Sequence, residues 1–182
     1  MNLEEIIQGC IKNNIVYQKA LYTIYEKTLF NLSLKYSANS EEAEDNLHDT
    51  FIEIYANIKK YKDNGSFEGW MKRITINKAI SKFKSSILNQ PLDAIIYPVF
   101  DEEVEIDSDG LSLHFLLQLI QELPNQYRLV FNLYELDDYS HKEIATMLSI
   151  SEGTSKSNLH KAKMILKDKI VASKNIKYKN GI

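Results

Sequence analysis

The sequence predicts an all-α protein, two small helical domains joined by an acidic linker, the C-terminal one a helix-turn-helix. Three observations predict it. Glycine (6) and proline (3) are scarce among the 182 residues, too few for the turns of an all-β chain. Apolar residues recur at helical spacing over two long blocks. Between the blocks lies a stretch that breaks the period and holds Pro91, Pro98 and a run of acids.

The first block is 1–88. Leu21, Ile24, Tyr25 and Leu32 recur at helical spacing, and so do Leu47, Phe51, Ile54 and Ile58. Ser40 followed by Glu41-Glu42-Ala43 predicts a helix start, with a capping side chain and acids in the first turn. Asp63-Asn64-Gly65-Ser66 reads as a turn, and a further helix is expected from near Ser66 through Lys84. The linker is 89–112. The second block is 113–175. Its first helix is expected to bury Leu113, Leu116, Leu117 and Ile120, and Leu123-Pro124 ends it, because the residue before proline leaves the helical region. Helices are expected at about 125–136, 140–148 and 152–170, before a frayed basic tail, 176–182.

Hydrophobic residues make up 44% and charged residues 26%, ordinary for a globular chain. Cys10 is the single cysteine, which excludes an internal disulfide and a zinc framework. The N-terminal MNLEEIIQGC is no secretory signal, and no stretch approaches the ~18 apolar residues of a membrane span. A cytoplasmic protein without membrane insertion is expected. His48, His114, His141 and His160 are scattered without metal-ligand spacing, and there is no phosphate-binding glycine loop. No metal, cofactor or catalytic set is expected.

A net charge of −3 conceals segregation. Glu41 to Tyr55 holds six acids and no Lys or Arg, and Trp70 to Lys84 holds five basic residues and no acid. Asp93 to Asp109 holds seven acids and no basic residue. From Glu152 onward eight lysines face two acids. Such blocks suit surfaces that meet different partners; ordinary solvated faces are the alternative.

The strongest motif is Tyr139-SHKEIATMLSISEGTSKSNLHKAKMIL-Lys167. Ser140 and Glu143 form a capping box, Ile144, Ala145 and Leu148 an apolar face, Ser149-Ile150-Ser151 the turn, and Ser151 caps the second helix. Ser155, Leu159, Ala162 and Leu166 share its inward side; Gly153, Lys156, Ser157, His160 and Lys163 lie opposite, flanked by Thr154 and Lys161. Lysines with hydroxyl residues suit a major groove, and the helix N-terminus attracts phosphate. An amphipathic hairpin with a solvated lysine face is the structural alternative.

A second segment, Tyr61-KDNGSFEGWMKRITINKAISKF-Lys84, places Trp70, Arg73, Asn77 and Lys84 on one side of a helix. An aromatic, a guanidinium and an amide can stack on and bond an unpaired base. Tyr61, Lys62 and Ser66 could frame a pocket for an extruded base. A core tryptophan with a basic rim fits equally.

Together, Ser40-EEAEDNLHDTFIEIYANI-Ile58, Gly65-SFEGWMKRITINKA-Ile80 and Leu123-PNQYRLVFNLYELDDYSHKEIATMLSISEGTSKSNLHKAK-Met164 resemble the bacterial RNA polymerase sigma factors of the extracytoplasmic-function (ECF) group. The resemblance covers most of the chain. It implies a non-enzymatic alternative sigma factor that binds core RNA polymerase and directs promoter-specific initiation. Contact with the clamp coiled coil would fall on Glu41, Glu44, Asp45, Leu47, Asp49, Phe51 and Tyr55. Recognition of the melted −10 strand would fall on Tyr61, Lys62, Ser66, Trp70, Arg73, Asn77, Lys78 and Lys84. Reading of the −35 duplex would fall on Gly153, Thr154, Lys156, Ser157, His160, Lys161 and Lys163. The linker resembles the segment that threads toward the RNA exit channel, and an anti-sigma factor is a further implied partner. The chain departs from the family at Ser81 and Lys84, where aspartate and arginine are common; at Ser149, often glycine; and at Ser155, often small and aliphatic. Ser149 predicts a less strained turn than the family's. A stand-alone helix-turn-helix regulator with an N-terminal dimerisation or sensor domain is the alternative, and a helical adaptor for acidic proteins a third.

Overall fold

The computed structural model describes residues 1–62, 65–88 and 111–179, with side chains to 86 in the first block and to 174 in the last. Every regular element among them is helical. The chain divides into two units, Met1–Lys82 and Phe83–Ile182.

The first unit opens with α1 (Leu3–Ile11), started by an Asn2–Glu5 capping box. Asn13, in the left-handed region at φ +56°, turns the chain into α2 (Ile15–Tyr36). Gly9 is required at the α1–α2 approach: a Cβ there would stand 2.1 Å from the Tyr17 ring. α3 (Ser40–Asn57) follows, then a single 3-10 turn and α4 (Phe67–Leu88), four residues longer than expected. The core is Ile6, Cys10, Leu21, Leu29, Leu47, Phe51, Ile54, Ile58, Phe67 and Met71. Burial pushes the Cys10 thiol above its ordinary range, so it packs as a small apolar side chain. Of the two expected stripes, that of α3 is fully inside, whereas Ile24 of α2 is exposed. Asn39, rather than Ser40, caps α3. Its side chain accepts from Glu42 N at 2.8 Å, while the Glu42 carboxylate accepts from Ala38 N at 2.8 Å, which moves the cap one residue upstream.

The linker lies, but for Leu111 and Ser112, outside the described residues, as do Asp63 and Asn64 of the expected turn. Gly65 of that turn has φ +113°, a conformation glycine adopts at no steric cost.

The second unit contains α5 (Leu113–Gln121), α6 (Asn125–Phe131), α7 (His141–Leu148) and α8 (Glu152–Lys179). Leu113 is 83% exposed; α5 packs through Leu119, with Leu123 buried just beyond its end, a stripe shifted along from the expected one. Position 113 is the helix's first residue. The helix expected over 125–136 is α6 followed by a wider π-turn over Asn132–Leu136, closed by Asp137 N donating to Asn132 O at 3.1 Å. α8 runs nine residues past its expected end, through most of the presumed basic tail. No glycine or proline interrupts the chain between Gly153 and Gly181.

Arg128 joins α5 to α6. It is buried, and its Nη1 donates to the carbonyls of Gln121 (2.6 Å) and Leu123 (3.2 Å) while Nη2 donates to Asn125 Oδ1 (2.6 Å). The guanidinium thus satisfies carbonyls that the end of α5 leaves without helical partners. Arg128→Leu strands those carbonyls and is expected to cost about 2–4 kcal/mol, read as a lowered urea midpoint of the transition that reports the second unit.

Candidate nucleic-acid interface

In the second unit, α7 and α8 form the expected helix-turn-helix. Ser140 N donates to Glu143 Oε2 at 2.9 Å, and Glu143 N donates to Ser140 Oγ at 3.3 Å, completing the capping box. Ile144, Ala145 and Leu148 of α7 are buried, and so are Ser155, Leu159, Ala162 and Leu166 of α8, which packs on both α6 and α7. The turn is more strained than expected. Ser149 adopts φ +59°, ψ +44°, the left-handed conformation that glycine takes most readily, instead of relaxing away from it. Ile150 N then closes onto Ala145 O at 3.0 Å, and Ser151 Oγ accepts from Thr154 N at 3.0 Å to cap α8.

This geometry leaves Gly153, Thr154 and Lys156 exposed at the start of α8, with His160, Lys161 and Lys163 half-buried further along. The Thr154 hydroxyl shares a hydrogen bond with Ser151 Oγ at 2.8 Å. Two expected contacts change. Ser157 is only 9% exposed, so it leaves the open face. A helical angle gives direction and not length: serine is short, and side chains one turn later lean back over it. Lys163 Nζ pairs with Glu135 Oε1 of the π-turn at 2.7 Å, which ties α8 to its scaffold.

In the first unit, α4 carries the aromatic-basic segment. Phe67 is buried, and the half-buried Trp70 stacks on it with centroids 5.5 Å apart. Tyr61 meets Phe67 edge-on at 5.0 Å, and its hydroxyl donates to Gly65 O at 2.7 Å. Trp70 therefore belongs in part to the core, as the structural alternative held. One turn and two turns beyond it, Arg73 and Asn77 are exposed, and so are Lys62 and Ser66; the Ser66 hydroxyl accepts from Gly69 N at 3.3 Å. Lys78 is in an ion pair with Glu53 of α3 at 2.7 Å, and Lys82 with Asp49 at 3.5 Å. The Lys78 ammonium, bonded to Glu53, holds that carboxyl below the usual range. Lys84 lies on α4 two turns past Asn77, beyond the first unit's boundary at Lys82.

The acidic helix α3 divides by face. Glu41, Glu44 and Asp45 are exposed. Leu47 and Phe51 are not; both are buried in the core, so they support the face without reaching a partner. Tyr55 is half-buried, its hydroxyl donates to Gln18 O at 2.9 Å, and burial pushes its pKa up to about 12. Asp49 is occupied by Lys82. Apolar burial and these internal pairs claim four of the seven expected contact residues. Two exposed residues on the acidic face were missed: His48 and Ile52, the latter 66% exposed. The signal was available, since positions 41, 44, 45, 48 and 52 share one side of a helix whose other side is Leu47, Phe51 and Ile54.

The first unit sets an aromatic-basic helix beside an acidic one, and the second carries a capped helix-turn-helix, the reading element of many DNA-binding proteins. The comparisons with known proteins make the class specific. The family model of Sigma-70 region 2 matches residues 21–86, and that of Sigma-70, region 4, matches residues 116–166. The chain is 30% identical over 159 residues to the ECF RNA polymerase sigma factor SigW of Bacillus subtilis, covering 81% of this chain and 85% of that protein. It is 28% identical over 151 residues to SigM of the same organism, covering 81% and 91%. The sigma factor RpoE of Bartonella quintana, solved in complex with the anti-sigma factor NepR, shares the fold: TM-score 0.50 at 19% identity, covering 82% of this chain and 94% of that one. This chain belongs to the ECF group of RNA polymerase sigma factors. It is an alternative sigma factor for promoter-specific transcription, and the reading as a stand-alone regulator is not favoured.

A Cβ built on Gly153 would meet nothing closer than Ser151 Oγ at 3.7 Å. Gly153→Ala is therefore expected to raise the stability of the second unit by about 0.5–1 kcal/mol through helix propensity, read as a higher melting temperature. A lower melting temperature would show that the start of α8 needs the glycine for its own folding.

Proposed function

We propose that the outward face of α3 docks on the clamp coiled coil of core RNA polymerase, that α4 holds the opened −10 strand, and that the start of α8 reads the −35 duplex. The observation that carries this reading is the separation of each contact surface from its own core. Glu41, Glu44, Asp45, His48 and Ile52 stand outside a helix whose inner side, Ala43, Leu47, Phe51 and Ile54, is buried, and Gly153, Thr154 and Lys156 stand outside a crossing whose inner residues are buried.

The acidic face suits a basic partner, with charges that steer encounter and an apolar residue that supplies contact once water leaves. On α4, Trp70 offers the exposed part of a ring already braced by Phe67, and Arg73 and Asn77 offer donors on the same side. On α8, Lys156 can reach base-edge acceptors or phosphate, and the positive end of the helix favours a backbone phosphate near Gly153. Polymerase supplies the chemistry; this chain is a non-catalytic DNA-binding subunit that acts in the cytoplasm. No helix among the described residues is long and apolar enough to cross a membrane. Regulation by an anti-sigma factor is supported by the fold shared with the Bartonella protein.

The test is co-purification with core polymerase followed by run-off transcription on a library of genomic promoters. Failure to bind core, or binding without initiation on any promoter, would overturn the reading. Glu44→Lys with Asp45→Lys is expected to weaken core binding by on the order of ten-fold, and Ile52→Asp by a similar amount, with helix content unchanged. Arg73→Ala is expected to leave core binding intact and shorten open-complex lifetime. Lys156→Ala should weaken binding to the −35 duplex and leave core binding unchanged; equal promoter use by this variant would remove α8 from the recognition role.

A further inference from the structure

The helix-turn-helix holds a polar contact inside its crossing. Ser155 is fully buried on the same side of α8 as Leu159 and Ala162. A hydroxyl there needs a partner. It has His141, the first residue of α7: Nδ1 stands 2.9 Å from Ser155 Oγ. The imidazole also lies flat on Tyr134 of the π-turn, with centroids 4.4 Å apart and planes 19° from parallel. One ring therefore touches the scaffold turn on its face and the recognition helix at its edge, while its backbone starts α7 directly after the Ser140 cap.

We propose that His141 is a positioning residue for duplex reading: through Ser155 it fixes the first turn of α8, and with it Gly153, Thr154 and Lys156, at the angle that meets the groove. This rests on the assignment of α8 made above. The bond sits one residue from Lys156 and two from Gly153, so a small rotation of the first turn moves every exposed group that would touch DNA. A docked helix displaced by about 1 Å loses the alignment of its hydrogen bonds to base edges.

The contact is also sensitive to protonation. The charged groups acting on the ring are Lys156 and Glu152, both from α8, and Tyr134 covers one face. Burial first, and then Lys156, hold the imidazole below the ordinary histidine value of 6.5, with Glu152 opposing. The Tyr134 face favours a cation, against both. A lowered value means that the folded protein prefers the neutral ring. Above the ordinary value the ring is neutral; as pH falls through the lowered one Nδ1 can only donate to Ser155 Oγ, so the contact reverses its polarity, a cation enters the partly buried crossing, and the latch is weakened.

The test uses the full chain bound to core polymerase and a −35-type duplex recovered by that complex from a random-sequence pool. The readout is the ratio of affinities for the recovered and a scrambled duplex, from about pH 8 to about pH 5.5, across the range in which a histidine changes charge. Melting curves confirm that each variant is folded. The wild-type ratio is expected to be flat above about pH 7 and to fall several-fold at the acid end. Ser155→Ala, which removes the bond, should show a reduced ratio at every pH. His141→Asn, whose amide occupies the place of Nδ1 without titrating, should keep the wild-type ratio and lose the acid-side fall. A wild-type ratio in Ser155→Ala, or a His141→Asn profile identical to wild type, would overturn the proposal while leaving α8 as the recognition helix. A pool that yields no preferred duplex would instead overturn the assignment of α8 itself.

Discussion

The way α8 is presented depends on the backbone of Ser149. A non-glycine residue in the left-handed region costs about 1–2 kcal/mol, and Ser149 sits there at φ +59°. The surrounding structure holds it. On one side the Ser140–Glu143 box closes the start of α7; on the other Ser151 closes the start of α8. Beneath the turn, Ile144, Ala145 and Leu148 are buried together with Ser155, Leu159 and Ala162. The small side chains Ala145 and Ser155 allow the helices to cross closely, and the close crossing directs the N-terminal turn of α8 outward. Strain at one residue is thus converted into a rigid, exposed helix start, the form a groove-reading element needs.

The first unit solves a different problem with the same economy. One helix, α3, must be apolar enough to build a core and acidic enough to meet a partner. It does so by angle, with Ala43, Leu47, Phe51 and Ile54 inward and Glu41, Glu44 and Asp45 outward. The later acids, Asp49 and Glu53, are taken by Lys82 and Lys78 of α4. Those pairs are partly exposed and contribute little stability each. Their larger consequence is to divide the charge: the acids at the start of α3 remain for a partner, and the lysines opposite the later acids are partly neutralised before any DNA arrives. On the proposed reading, the strand contact then falls on Arg73 and Asn77 more than the basic count of α4 suggests.

Much of this was legible in the residues because helices state their faces plainly. The stripe Leu47, Phe51, Ile54, Ile58 and the inward set Ser155, Leu159, Ala162, Leu166 are buried as their spacing predicts. The cap residues Ser140 and Ser151 act at the expected places because a cap is a local matter of three residues. What failed depended on neighbours that spacing does not contain. Asn39 displaces Ser40 because Glu42 reaches back to Ala38. Leu113 is exposed because α5 packs through Leu119, a stripe that the spacing alone did not single out. Leu47 and Phe51 match a family motif for a partner surface yet belong to the core, since a motif marks positions and not the direction in which they point. The burial of Arg128 is intelligible only from the carbonyls of Gln121 and Leu123 that it meets.

The central claim is that two surfaces on two units touch one promoter at once, α4 the opened strand and α8 the duplex upstream. The most direct measurement places a photoreactive amino acid at Arg73 in one protein and at Lys156 in another, each assembled with core polymerase on the same promoter. The account predicts crosslinks from position 73 to the non-template strand of the −10 region and from position 156 to the −35 duplex. Crosslinks that are exchanged between the two positions, or absent at either while transcription proceeds, would contradict it.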